Sequence, residues 1–302
     1  MKIWLRKFIL HPSQAIMAWI LNGFFSMLPL DQASALGGWM GRQIGPYLRV
    51  TENARRELTI VFPSLSSFEI EKIVTGMWDN LGRTAGEHPH LAKFNPYVEN
   101  SRVEVIGVEI LDQARDDGIP GIAFGGHLAN WELVPLVSTK RGLPLHLVYR
   151  KANNPFFDRL VQRGRASTGG QYFPKGPDGA KDILRALNKG EHLAMLVDQK
   201  MNDGIEAPFM GRNAMTAPAL AQLALRFKCP IVPVQVERLK GANFRVTIHP
   251  PLVHPNTGDK QSDIHQMMTE VNSNLENWIK KQPEQWLWIH NRWPNKNELF
   301  AK

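Results

Sequence analysis

The sequence predicts an α/β fold, a largely parallel central sheet flanked by helices, preceded by a helical, hydrophobic N-terminal region. Three observations carry this. Beyond Asn100, short apolar runs alternate with stretches of helical spacing, the pattern of strand–helix–strand units. Upstream, Ser66 and Glu69 make a capping box, and Phe68, Ile70, Ile73, Val74, Met77, Trp78 and Leu81 follow at helical spacing. Further upstream still, Pro12 to Leu30 is a run of 19 residues without a charge.

The strands are expected at 103–106, 121–125, 144–149, 192–197, 231–236 and 244–249. Helices are expected near 108–117, 130–140, 155–167, 179–189 and 216–227, with Thr216 and Pro218 marking the last start. A closing helix places Ile264, Met267, Met268, Val271, Leu275, Trp278 and Ile279 on one face and stops at Pro283. No internal repeat or Gly/Ser-rich linker divides the chain. It reads as a membrane-associating helical region over 1–95 and one α/β domain over 96–302.

The uncharged run has three readings. It approaches the roughly 20 residues of a spanning helix, though Gln14, Asn22, Gly23 and Pro29 weaken it. It could also be a buried hydrophobic hairpin. A cleaved signal is the third, with Lys2, Arg6 and Lys7 in front and A-S-A at 33–35. An uncleaved anchor, spanning or interfacial, is the expectation taken forward.

Composition narrows the partners. Lys and Arg total 36 against 28 for Asp and Glu, a formal charge of +8. That excess suits anionic lipid, phosphorylated ligands or acidic proteins. No arginine-rich tail, zinc-finger spacing or RNP-type motif supports nucleic-acid binding. The single cysteine, Cys229, sits in an apolar context and reads as a buried thiol.

In an open parallel sheet, ligands collect beyond the carboxyl ends of the strands. Here those ends deliver Gly126-His127, Arg150-Lys151, Asp198-Gln199 and Glu237-Arg238 to one rim. The stretch GIAFGGHLANWELVPL, 121–136, is the sharpest of these. If its strand ends at Gly126, Asn130 can cap the next helix and Glu132 falls in the first turn. His127 would then sit in the intervening loop, close enough to pair with that carboxylate, and the two glycines would let a substrate approach. A histidine held by a carboxylate is a general base. A structural histidine and a dipole-favoured surface glutamate are the bland alternatives. The sequence has no H-E-x-x-H, G-x-S-x-G, G-x-G-x-x-G or Walker A pattern, so neither a metal nor a nucleotide cofactor is expected. With a base and no obvious protein nucleophile, direct acyl transfer to a substrate hydroxyl is the economical chemistry.

These residues resemble the lipid A biosynthesis acyltransferases, the lauroyl/myristoyl transferase family. His127 and Glu132 form the family's H-x4-E. YRKANNPFFDRLVQRGR (149–165) looks like its second block, Asp198-Gln199 followed by APFMG (207–211) like its third, and PEQWLWIHNRW (283–293) like its C-terminal signature. The resemblance implies a glycerolphosphate acyltransferase-like fold, inner-membrane attachment with a cytoplasmic-facing site, and no metal or organic cofactor. It implies acyl carrier protein as donor carrier and a Kdo-bearing, phosphorylated lipid A precursor as acceptor. His127 would be the base, Glu132 its partner, and Arg150, Arg163 and Arg165 would bind anionic substrate groups. Asp198 would orient one of those arginines or an acceptor hydroxyl. A lysophospholipid or other glycolipid acceptor, or anionic-lipid binding without chemistry, are the competing expectations.

Overall fold

The computed structural model describes residues 10–293. Among these residues, four α-helices come first: α1 (His11–Met27), α2 (Leu30–Ile44), α3 (Thr51–Val61) and α4 (Ser67–Glu87). The uncharged run therefore divides, because Leu28 is extended before Pro29, as the proline ring requires, and α2 starts afresh. No helix among the described residues is long and apolar enough to cross a membrane. Lys2, Arg6 and Lys7, the positive charges in front of the run, lie outside the described residues.

α2 and α4 pack backbone to backbone. A Cβ on Gly37 would stand 2.2 Å from the Gly82 carbonyl oxygen, and one on Gly82 would stand 2.1 Å from that of Gly37. Of A-S-A, Ala33 and Ser34 are buried in this crossing and Ala35 is exposed. The capping box on α4 forms as read, with Ser66 and Glu69 exchanging hydrogen bonds.

The α/β part runs β1 (Val103–Ile106), α5 (Val108–Asp116), β2 (Ile122–Gly125), α6 (Leu133–Lys140), β3 (Leu145–Tyr149), α7 (Pro155–Arg165), β4 (Tyr172–Pro174), α8 (Pro177–Asn188) and β5 (His192–Leu196). A hairpin, β6 (Ile205–Phe209) and β7 (Arg212–Thr216), follows, then α9 (Ala219–Phe227), β8 (Ile231–Arg238), β9 (Phe244–Ile248) and α10 (Lys260–Lys281). The seven-stranded sheet has the order β1-β9-β8-β2-β5-β3-β4 and is parallel except where β8 meets β9.

The central strands are buried on both faces, as parallel strands between helices must be. Ile122 and Phe124 of β2, with Leu193 and Met195 of β5, face a core shared with α4, α8, α9 and α10. Ala123 and Ala194 face the opposite core with Leu133, Leu136 and Val137 of α6. Val74, Met77 and Trp78 of α4 belong to the first core, so N-terminal helices and sheet share one apolar interior. Cys229 lies fully buried, and burial pushes its thiol up to about 11.

All six expected strands form, and three more join them. β4 is a three-residue edge strand ending in Pro174. The β6–β7 hairpin turns on Met210 and Gly211, both with positive φ, a primed turn without the usual Asn-Gly. Thr216 closes β7, so α9 starts later than expected, at Ala219.

Candidate active site

β2 and β5 are neighbours in register, Gly125 opposite Leu196. Two residues further along each strand stand His127 and Asp198, so the parallel register itself brings them together. His127 Nδ1 lies 2.8 Å from Asp198 Oδ1, and the His127 backbone N–H donates to Oδ2 at 2.7 Å. Trp286 Nε1 donates to the same Oδ2 at 2.8 Å. A Cβ on Gly126 would stand 3.3 Å from Asp198 Oδ2, so this glycine makes room for the carboxylate. Asp198 is fully buried, which raises its pKa. The neighbouring His127 and His290, with the hydrogen bonds from His127, more than offset this and hold the carboxyl well below the usual range.

An ionised Asp198 fixes the tautomer of His127. Nδ1 must carry the proton it donates, which leaves Nε2 with its lone pair free to accept one. That nitrogen faces Gln199, whose amide nitrogen lies 3.3 Å away and 3.4 Å from His290 Nε2. The two imidazoles pack edge to face at 4.8 Å between centroids. Burial, then the adjacent His127, push His290 down to about 4, so it is neutral at physiological pH.

The expected pairing of His127 with Glu132 is replaced by a different partner for each. Glu132 occupies the N-cap position of α6 rather than its first turn, and its buried carboxylate takes a bidentate pair from Arg165, at 2.8 and 2.6 Å. Burial raises the Glu132 pKa, but Arg165, His88 and the indole of Trp131 together pull it below its ordinary value. Trp131 touches both groups: its Nε1 donates to Glu132 Oε1 at 3.1 Å, and its ring packs on His127 at 5.1 Å. Asn130 does not cap α6 either. It is buried and donates to Glu87 Oε2 at 2.9 Å.

The loop that carries His127 is clamped from below. Ala129 takes a left-handed φ of +49°, a strained setting for a residue with a Cβ. Its carbonyl accepts from Asn80 and Thr84, while its N–H donates to the Gln285 carbonyl. Arg238 ties Asn80, Thr84 and Glu87 into one buried network. The C-terminal stretch bonds back through Leu287 N–H to the His127 carbonyl. It thereby delivers Trp286 and His290 to the site.

The three arginines part company. Arg150 is exposed at the rim after β3. Arg163 is exposed on α7 and stacks over Trp19 of α1 at 5.7 Å, helping to seat the N-terminal helix. Arg165 points inward to Glu132. Gly164 between them is required because a Cβ there would stand 2.0 Å from the His88 ring.

Between α8 and α9 and over β3 and β5 opens a cavity of about 610 Å³, linked to His127 through Gln199. Its wall is mostly apolar, with Val148, Ile183, Met195, Val197, Leu223 and Ile264, and Gln199 and Lys175 stand at its strand-end rim. Such a volume suits a small-molecule or acyl-chain ligand. Among the described residues, no group of three His, Cys, Asp or Glu is arranged to hold a metal ion.

A histidine held by a buried carboxylate, in contact with a residue that lines an apolar cavity, fits an enzyme that moves an acyl group to a hydroxyl. The sequence profile of the bacterial lipid A biosynthesis acyltransferases matches residues 5–295, and the chain belongs to that family. It is similar to the Escherichia coli lipid A biosynthesis palmitoleoyltransferase, 28% identical over 88% of this chain and 86% of that one. It is also similar to the E. coli lauroyltransferase, 27% identical over 96% of this chain and 95% of that one. The E. coli myristoyltransferase is 26% identical over 83% and 77%. The chain is thus an O-acyltransferase.

Proposed function

We propose that this acyltransferase moves a fatty acyl chain from acyl carrier protein to a hydroxyl of a Kdo-bearing, phosphorylated lipid A precursor. The observation that carries the mechanism is the 2.8 Å contact of His127 Nδ1 with Asp198, which leaves Nε2 as the base. His127 Nε2 takes the acceptor hydroxyl proton as that oxygen attacks the thioester carbonyl carbon. The tetrahedral intermediate then collapses, the C–S bond breaks, and the imidazolium returns its proton to the departing thiolate. Asp198 holds the ring and balances its transient charge, the part first expected of Glu132. Glu132, fixed to Arg165, shapes the loop from the other side through Trp131.

The cavity beside Gln199 supports an acyl chain as the transferred group. Two methylenes are worth only about 1.6 kcal/mol in an apolar slot, so a single side chain at its end can set chain length. The charge of +8 suits both an acidic carrier and an anionic acceptor, and exposed Arg150 is placed to meet a phosphate or carboxylate.

Membrane attachment is proposed as interfacial. Ile16, Met17, Ile20 and Met27 of α1 are each 60% exposed or more. Phe156 and Phe157 of α7 are exposed as well, and α7 is seated against α1 by Asn154 donating to the His11 carbonyl. An apolar helix face of this kind lies in the headgroup region of a bilayer. The inner membrane, with the site on its cytoplasmic face, is the proposed location.

Mass spectrometry of lipid A tests the whole reading. In a bacterium lacking this chain, complementation should add one acyl chain to lipid A, and fragmentation should place it on a hydroxyl. An unchanged lipid A, with a lysophospholipid acylated instead, would replace the acceptor.

A further inference from the structure

The residue after Asp198 has a position that the general-base mechanism does not use. Among the described residues, Gln199 alone both lines the 610 Å³ cavity and reaches the base. Its amide can be oriented by logic. Asp198 obliges His127 to present a bare lone pair at Nε2, and a carbonyl oxygen turned toward that lone pair would repel it. The NH2 group therefore faces the imidazoles, at 3.3 Å from His127 and 3.4 Å from His290. Both contacts are long, so these donors are weakly engaged and ready for a better acceptor.

We propose that Gln199 is a catalytic residue, the N–H donor that stabilises the oxyanion formed from the thioester carbonyl. The inference rests on the acyl-transfer reading above and deepens it. An acyl chain in the cavity brings its carbonyl to the rim where Gln199 stands, within a bond's reach of the hydroxyl that His127 deprotonates. As the hydroxyl oxygen bonds to the carbonyl carbon, the π electrons move onto the carbonyl oxygen. An amide donor about 3 Å from that oxygen strengthens its hydrogen bond as the charge grows. When the intermediate collapses, those electrons reform the carbonyl and the thiolate leaves, taking the proton from His127. The amide exchanges no proton. The backbone placement is fixed, because Gln199 stands three residues past the end of β5 and its neighbour Asp198 is held by three hydrogen bonds.

The test compares Gln199→Met, which keeps the volume and loses the donors, with Gln199→Ala and the wild-type chain. The assay is transfer from an acyl carrier protein thioester to a Kdo-bearing, phosphorylated lipid A precursor. Removing an oxyanion donor typically lowers kcat by about 10²–10³-fold. Both variants should show that loss, with KM for donor and acceptor within a few-fold of wild type and melting unchanged. Near-wild-type kcat in either folded variant would overturn the proposal, as would a loss confined to the donor KM, which would make Gln199 only a wall of the cavity. Absence of transfer by the wild-type chain would instead overturn the functional reading, and this inference with it.

Discussion

His127 and Asp198, 71 positions apart in the chain, meet because their strands pair in register two residues before each of them. The pairing is a consequence of sheet geometry: parallel neighbours carry equivalent positions to the same height at the carboxyl rim. Burial of Asp198 and its three donors then makes it a fixed negative charge behind the imidazole.

Asp198→Asn keeps the shape and removes the charge, so His127 loses its enforced tautomer. Transfer should fall by about 10²–10⁴-fold. Combined with His127→Ala the loss should be scarcely greater than for His127→Ala alone, since residues acting as a unit are not additive. Kinetics of the two single variants and the double variant check this. Multiplicative losses would separate Asp198 from the base.

Glu132 and Arg165 form a buried ion pair, so removing one partner strands the other. Glu132→Ala or Arg165→Ala should each lower unfolding free energy by about 3–5 kcal/mol. The double variant should lose clearly less than the two single losses added together. Urea unfolding of the three variants reads the coupling directly, and simple additivity would show that the pair contributes little.

Glu57 links stability to pH. Its carboxyl is 1% exposed, and burial, partly offset by the Trp293 backbone N–H and nearby Arg56, raises it to about 7. Below about pH 4.5 the group is protonated whether folded or unfolded, and its contribution is intact. Between about 4.5 and 7 the unfolded chain releases the proton and the folded one retains it, so stability falls with rising pH, by on the order of 3 kcal/mol in all. Glu57→Gln should remove this slope. Melting curves of both proteins between pH 5 and 8 should diverge as pH rises, and parallel curves would refute the assignment.

The core of the α/β sheet was legible because period and punctuation agree there. What escaped had weak local signals. β4 is a short edge strand closed by a proline, and the β6–β7 hairpin turns on Met-Gly and contains Pro208. The site was half legible. His127 and Asp198 both stand out at strand ends, but pairing them requires knowing that β5 inserts beside β2, which chain order conceals. Proximity in sequence favoured Glu132, whose side chain turns instead to Arg165, 33 positions away. Gln199 and His290 both lay in stretches the sequence singled out, at a strand end and in the C-terminal signature, but nothing local showed that those stretches meet at His127.

The exposed face of α1 offers a separate test of membrane attachment. Ile20→Glu changes a side chain that is 63% exposed, so melting should stay within a degree or two. Partition onto vesicles containing anionic lipid should drop by about tenfold or more, the worth of one large apolar side chain. Equal binding by variant and wild type would place the membrane contact elsewhere.

The central claim is that acyl transfer passes through His127 Nε2. The decisive measurement is the transfer rate of a His127→Ala protein that melts like the wild type, with acyl carrier protein thioester and lipid A precursor both saturating. A fall of about 10²–10⁴-fold is the predicted result. A rate within a few-fold of wild type would contradict it.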